Sequence, residues 1–213
     1  MFEKLRKPWK HLIAPIARGL HALGITANAV TIIGAAGTVL AAIVTGVTGN
    51  LLVGSIVIAV LVMFDSLDGS VAQLEGGGTK FGAFLDSTLD RVADWAVLVA
   101  IIVYLTQRDD FMTLWPQITF YCTLVGIMTS FVTSYARARG EAVGYEAKNG
   151  IATRSDRLVI ILVGMFLAGC GLPIQVLACF MAVLALLGVV TVWQRMHTIH
   201  KLAMADPSNR IPA

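Results

Sequence analysis

Asp65-Ser-Leu-Asp68-Gly69-Ser-Val-Ala72-Gln73, followed by Gly82, Asp86, Asp90 and Asp94, interrupts sequence that is otherwise apolar on both sides. On insertion scales a carboxylate at the middle of a bilayer-spanning helix costs about 2.5–3.5 kcal/mol. Five of them in such a stretch demand an offset. Asp65 and Asp68 are three apart and Asp86, Asp90 and Asp94 four apart, so each set lies on one face of a helix. Between the sets, Gly76, Gly77 and Gly78 end one helix and let the backbone turn tightly into the next. The spacing predicts two antiparallel helices whose acidic faces converge on one small volume. Carboxylates packed that closely repel one another unless a cation neutralises them. Arg91 alone cannot balance five aspartates. Oxygen-only donors, without His or Cys, suit hard ions, Mg²⁺ first with Mn²⁺ or Ca²⁺ as alternatives. Four shared carboxylates suit a two-metal site. Asp94 is divided equally between structural support and a role behind the ligands.

Composition sets the surroundings of this region. The 213 residues are 57% apolar and 14% charged, with a mean hydropathy of +0.78, where soluble chains carry about 25% charged residues. The chain reads as an all-α integral membrane protein. Apolar windows near the 20 or so residues needed to cross a bilayer run over 29–47, 51–74, 81–105, 111–135, 153–171 and 173–193. Six transmembrane helices are predicted. Ahead of them, Lys4, Arg6, Lys7 and Lys10 alternate with Leu5, Trp9, Leu12, Ile13, Ile16 and Leu20 at helical spacing, as in an amphipathic juxtamembrane helix. Pro8 and Pro15 argue against an unbroken helix there.

With the N-terminus in the cytoplasm, every Lys and Arg except Arg91 and Arg108 falls inside or at an inside helix end. That asymmetry fits an even number of spans, with both termini and the acidic region on the cytoplasmic side of the cell membrane. The loop from Arg137 to Arg157, which includes Lys148, is the longest and most basic inside loop, and Arg210 lies in the tail. No linker or repeat divides the chain. A single domain over 1–213 is expected, with an interfacial helix at 1–21 and a six-helix bundle at 29–199. Cys122, Cys170 and Cys179 form no C-x-x-C pair and read as packing residues. No nucleic-acid partner is implied.

The acidic region closely resembles the signature of the CDP-alcohol phosphotransferases, D-x2-D-G-x2-A-R-x8-G-x3-D-x3-D, matching seven of its eight fixed positions. Gln73 stands where the family has arginine. Asn28-Ala29-Val30-Thr31 similarly matches the family's P-N-x-x-T element, with Ala27 in place of proline. The resemblance implies a homodimeric six-helix membrane enzyme that moves a phosphatidyl group from a CDP-activated lipid to an alcohol. By position, Asp65 and Asp86 would bridge two ions, Asp68 would hold the first, and Asp90 would hold the second and deprotonate the acceptor. Asn28, Ala29, Val30 and Thr31 would meet the cytidine, Thr79 the diphosphate, and Gln73 the CDP-lipid through hydrogen bonding alone. Gly69 would let the nucleotide approach the helix. The plainer reading of Gly69, Ala72 and Gly82 is close helix packing, and of Thr26 or Asn28, helix capping.

Ser134-Tyr135-Ala-Arg137-Ala-Arg139-Gly-Glu141, Ala152-Thr-Arg154-Ser-Asp-Arg157-Leu158 and Gln194-Arg195-Met-His197 resemble segments of actinobacterial phosphatidylinositol phosphate synthases. That implies CDP-diacylglycerol as donor and inositol 3-phosphate as acceptor, with glycerol 3-phosphate as the alternative. Arg137, Arg154 and Arg195 would bind the acceptor phosphate, since arginine grips phosphate through a planar fork. Their plainer reading is as positive-inside anchors. His197 and His200 read as interface residues. A cation transporter also carries intramembrane carboxylates, but the inverted repeats it would usually show are missing.

Overall fold

The computed structural model describes residues 3–147 and 149–206, with residues 3–12 described as backbone alone. The basic and apolar side chains expected to form an amphipathic pattern between Lys4 and Leu12, together with Lys148 and Arg210, therefore lie outside the described residues. Eight helices follow one another: α1 (Glu3–Ala22), α2 (Ala27–Thr48), α3 (Leu51–Asp65), α4 (Leu67–Leu74), α5 (Lys80–Thr106), α6 (Leu114–Ala142), α7 (Arg154–Gly169) and α8 (Ile174–Ala205). No strand occurs among the described residues. Two compact units divide at Ala100/Ile101, within α5.

In the first unit, α1 is continuous through Pro8 and Pro15. One face of this helix is taken up by packing within the unit. Ile13 and Ala17 are buried against Leu67 and Val71 of α4, with Leu20, Ala27 and Val30 packed around them. Thr26 caps α2, accepting from the Ala29 N–H at 3.3 Å. Gly49, left-handed at φ 69°, turns the chain into α3, which Asn50 caps. Gly54 lets α3 close on α2, since a Cβ there would sit 2.7 Å from Thr45 Cβ. Buried Thr38, Thr45 and Ser55 each donate to a carbonyl of their own helix, so these three hydroxyls enter the apolar contact with a partner.

The window 51–74 is not one straight helix. It breaks at Ser66 (ψ −4°), whose hydroxyl donates to the Met63 carbonyl at 2.9 Å and competes with the backbone ladder. In the second unit, α8 packs along α6 and against α7. Glycines open these contacts: Gly126 lies against Leu184, Gly188 against Thr129 and Gly164 against Phe180. Small residues at such contacts bring helices close in membranes.

Four helical stretches are long and apolar enough to cross a bilayer: Ala27–Thr48, Leu51–Leu74, Leu114–Ala142 and Ile174–Ala205. The other two expected spans differ for separate reasons. α5 has the length, at 27 residues, but carries Asp86, Asp90, Arg91 and Asp94. α7 has 16 residues, about 24 Å at 1.5 Å per residue, against a hydrocarbon core of about 30 Å. The cysteines are free, and Cys170 and Cys179 are exposed rather than packed in a core.

A Cβ at Gly188 would stand 2.2 Å from Thr129 Oγ1, whereas Gly19 has open space around it. Gly188→Ala should destabilise the detergent-solubilised protein by about 1–3 kcal/mol through overpacking, read as a lower thermal midpoint. Gly19→Ala should not lower it. Equal midpoints for the two variants would refute this packing account.

Candidate active site

The break at Ser66 separates Asp65, the last residue of α3, from Asp68 in the first turn of α4. The glycine turn then reverses the chain, with Gly76 at φ 96° and Gly77 at φ 125°, values that favour glycine over any side-chain-bearing residue. The Gly77 N–H closes the end of α4 by donating to the Ala72 carbonyl at 2.9 Å. As a result, carboxylate oxygens of Asp65, Asp68 and Asp86 all lie within 4.8 Å of one another. All three side chains are half-buried. This donor set, oxygen-only and at multidentate spacing, fits a hard divalent cation.

Thr31 holds one member of the trio. Its buried hydroxyl donates to Asp68 Oδ2 at 2.7 Å, orienting the carboxylate as outer partners of metal ligands do. Asp90 stands apart, one helical turn beyond Asp86 and outside the trio; its carboxylate lies 3.8 Å from the Arg91 guanidinium. Asp94, a further turn along, is buried at 6% exposure.

Beside the trio lies a cavity of about 210 Å³. Its walls come from Ala27, Asn28 and Thr31 of α2, Asp68, Gly69 and Ala72 of α4, Glu75 and the glycine turn, and Thr79, Gly82, Ala83 and Asp86 at the start of α5. Gly69 has nothing within 4 Å of where a Cβ would be, so it faces the cavity and packs against no neighbouring helix. Gly82 does both: a Cβ there would lie 3.1 Å from Asn28 Oδ1 and from Thr79 Oγ1. Thr79 Oγ1 accepts from the Gly82 N–H at 2.9 Å, starting α5.

Three residues expected at the nucleotide are not on this wall. Ala29 is absent from the lining, Val30 packs instead with the α1–α4 core, and Gln73 is exposed and likewise absent from the lining. Glu75 was missed. It lies seven residues after Asp68, on the same face of α4, and its Oε1 accepts from the Ala27 N–H at 3.2 Å. Because it falls outside the matched pattern, only that helical spacing could have drawn attention to it.

In the second unit, the three expected phosphate-binding arginines occupy helix ends. Arg137, near the end of α6, pairs with Glu141 at 3.0 Å. Arg154 opens α7 behind a capping box formed by Thr153 and Asp156. Arg195 works as a clamp, donating to the Thr133 carbonyl at 2.6 Å and to the Asn149 carbonyl at 3.1 Å. Gln194 accepts from the Ile151 N–H at 3.1 Å, and Asn149 donates to Thr198 Oγ1 at 2.7 Å. α8 thereby holds the segment that leads into α7. His197 stacks on Trp193, with ring centroids 5.3 Å apart. Arg108, the exception to the charge asymmetry, is bidentate on Asp110 at 2.7 and 2.8 Å. That carboxylate raises the guanidinium's pKa and compensates its charge locally.

Residues 24–204 match the family described as CDP-alcohol phosphatidyltransferase. The chain is 37% identical over 208 residues to a phosphatidylinositol phosphate synthase of Corynebacterium glutamicum, covering 98% of this chain and 93% of that one. Its structure is similar to that of the Mycobacterium tuberculosis phosphatidylinositol phosphate synthase crystallised with CDP-DAG bound. The TM-score is 0.84 at 34% identity, over 95% of this chain and 100% of the other. The same M. tuberculosis enzyme in complex with manganese and citrate gives a TM-score of 0.83 at 35% identity, over 94% and 92% of the two chains. A match spanning nearly all eight helices, and including the acidic trio and its cavity, makes this chain a member of the CDP-alcohol phosphatidyltransferase family.

Proposed function

We propose that the protein transfers the phosphatidyl group of CDP-diacylglycerol to inositol 3-phosphate, giving phosphatidylinositol phosphate and CMP. The observation that carries this reading is the Asp65–Asp68–Asp86 trio, two of whose members, Asp68 and Asp86, line a cavity together with Asn28, Thr31, Gly69 and Thr79. The relatives named phosphatidylinositol phosphate synthase support the choice of acceptor. Asp65, Asp68 and Asp86 would hold divalent ions, two Mg²⁺ with Mn²⁺ able to replace them, and Asp90 would add a fourth carboxylate. When bound, such ions neutralise the diphosphate and the charge that develops as it is cleaved.

The chain's own groups do the rest. Asp90, outside the trio, takes the proton from the acceptor hydroxyl as that oxygen bonds to the β-phosphorus; the bond from this phosphorus to the CMP oxygen breaks and CMP departs with the electron pair. Gly69 leaves room for the nucleotide against α4, Asn28 and Thr31 meet the cytidine side, and Thr79 meets the diphosphate. Arg137, Arg154 and Arg195 receive the acceptor's phosphate. In this reading α5 and α7 complete six spans over 29–199, α1 lies at the interface, and the site faces the cytoplasm of the cell membrane. The protein works as a homodimer.

Purified protein should release CMP from CDP-diacylglycerol with Mg²⁺ and inositol 3-phosphate, and Asp90→Asn should lose about 10²–10⁴-fold of that rate. Release with glycerol 3-phosphate alone would overturn the acceptor. Thr31→Val, which removes the bond to Asp68, should raise the Mg²⁺ concentration for half-maximal CMP release by about tenfold or more; an unchanged titration would remove Thr31 from the ligand-orienting role. Gly69→Val should abolish CDP binding by calorimetry while shifting stability by no more than about 0.5 kcal/mol. Loss of stability with binding retained would instead make Gly69 a packing residue.

A further inference from the structure

Asp68, Ala72 and Glu75 recur at helical spacing along α4, with Gly69 beside them, and all four line the cavity. This strip has a carboxylate at each end and only small residues between. Asp68 and Glu75 are seven residues apart, about 10 Å along the axis, a span that a nucleoside diphosphate bridges. The Asp68 end belongs to the acidic trio. The Glu75 end has a different character.

Glu75 caps the C-terminal end of α4 and is followed directly by the left-handed Gly76 and Gly77. Its Oε1 accepts from the N–H of Ala27 at 3.2 Å, so the carboxylate is held against the start of α2, one residue before Asn28. A proline at 27 would have no N–H to offer. Among the described residues no ion pair engages this carboxylate. A fixed anion in the cavity of an enzyme whose donor carries a diphosphate is repelled by those phosphates, so it suits the end of the cavity that they do not occupy. There it offers only hydrogen-bond acceptors.

We infer that Glu75 is a base-selecting residue, whose carboxylate accepts a hydrogen bond from the exocyclic amine of the cytosine ring. This inference rests on the CDP-lipid reading above and deepens it. Cytosine presents an amine donor where uracil presents a carbonyl acceptor, and Glu is a natural acceptor for that amine. Toward uracil, the same carboxylate sets acceptor against acceptor. The fixed charge therefore attracts one pyrimidine and rejects the other, which is how specificity is built from repulsion as well as attraction.

The test is calorimetric binding of CDP and of UDP, each with Mg²⁺, to the full chain in detergent. Wild type should favour CDP by roughly tenfold or more. Glu75→Ala should weaken CDP, strengthen UDP and bring the ratio towards one. Glu75→Gln, whose amide offers both donor and acceptor, should compress the ratio by strengthening UDP. A parallel loss of both nucleotides in Glu75→Ala, or a wild type indifferent to the base, overturns the assignment. CMP release from CDP-diacylglycerol is measured alongside. If wild type releases CMP but the variants leave the CDP/UDP ratio unchanged, this inference alone fails; if wild type neither releases CMP nor binds CDP, the underlying reading fails with it.

Discussion

Three carboxylates gathered within 4.8 Å in an apolar helical protein set the terms for everything near them. Half-buried and this close, they repel one another, and a divalent cation held among them would relieve that repulsion. Thr31, the glycine turn and the break at Ser66 all serve that convergence. Without the break, Asp65 and Asp68 would be separated by one regular helical turn. Without left-handed Gly76 and Gly77, α5 could not return to bring Asp86 beside them.

Much of this was legible because intramembrane charge is rare and helical spacing is rigid. The pairing of the acidic faces, the tight glycine turn and the clustering of Asp65, Asp68 and Asp86 all follow from i, i+3 and i, i+4 geometry. Asp90 has the same spacing yet falls outside the trio. A face of a helix curves, and residues a full turn apart need not reach the same point in space. The spans were read less completely: composition marks α5 and α7 as apolar, but α5's charges and α7's 16 residues make each of them atypical as a crossing helix. Ser66 gave no warning, because a serine that bonds its own helix and one that breaks it look identical in sequence.

The second unit shows the opposite limit. Arg195 attracts notice as a cation near a helix end, but its contacts are backbone carbonyls of Thr133 and Asn149, which no pattern of residue types can announce. A carbonyl is present at every position. Which one an arginine reaches depends on how α6 and α8 pack, and that packing follows from Gly126, Gly188 and the small buried threonines. Glu75 escaped for a related reason: its partner is a main-chain N–H, and the signature that surrounds it does not include it.

α4 has 8 residues, two turns, far below the 12–15 or so at which an isolated helix begins to hold its shape in water. One side of it carries Asp68, Gly69 and Ala72; the other, Leu67 and Val71, rests on Ile13 and Ala17. The rigidity of the cavity wall is therefore borrowed from the N-terminal segment. Shortening the protein from that end to leave only the apolar spans would strip the backing from the ligand-bearing helix, and a deletion that looks peripheral on the sequence would be felt at the reacting centre.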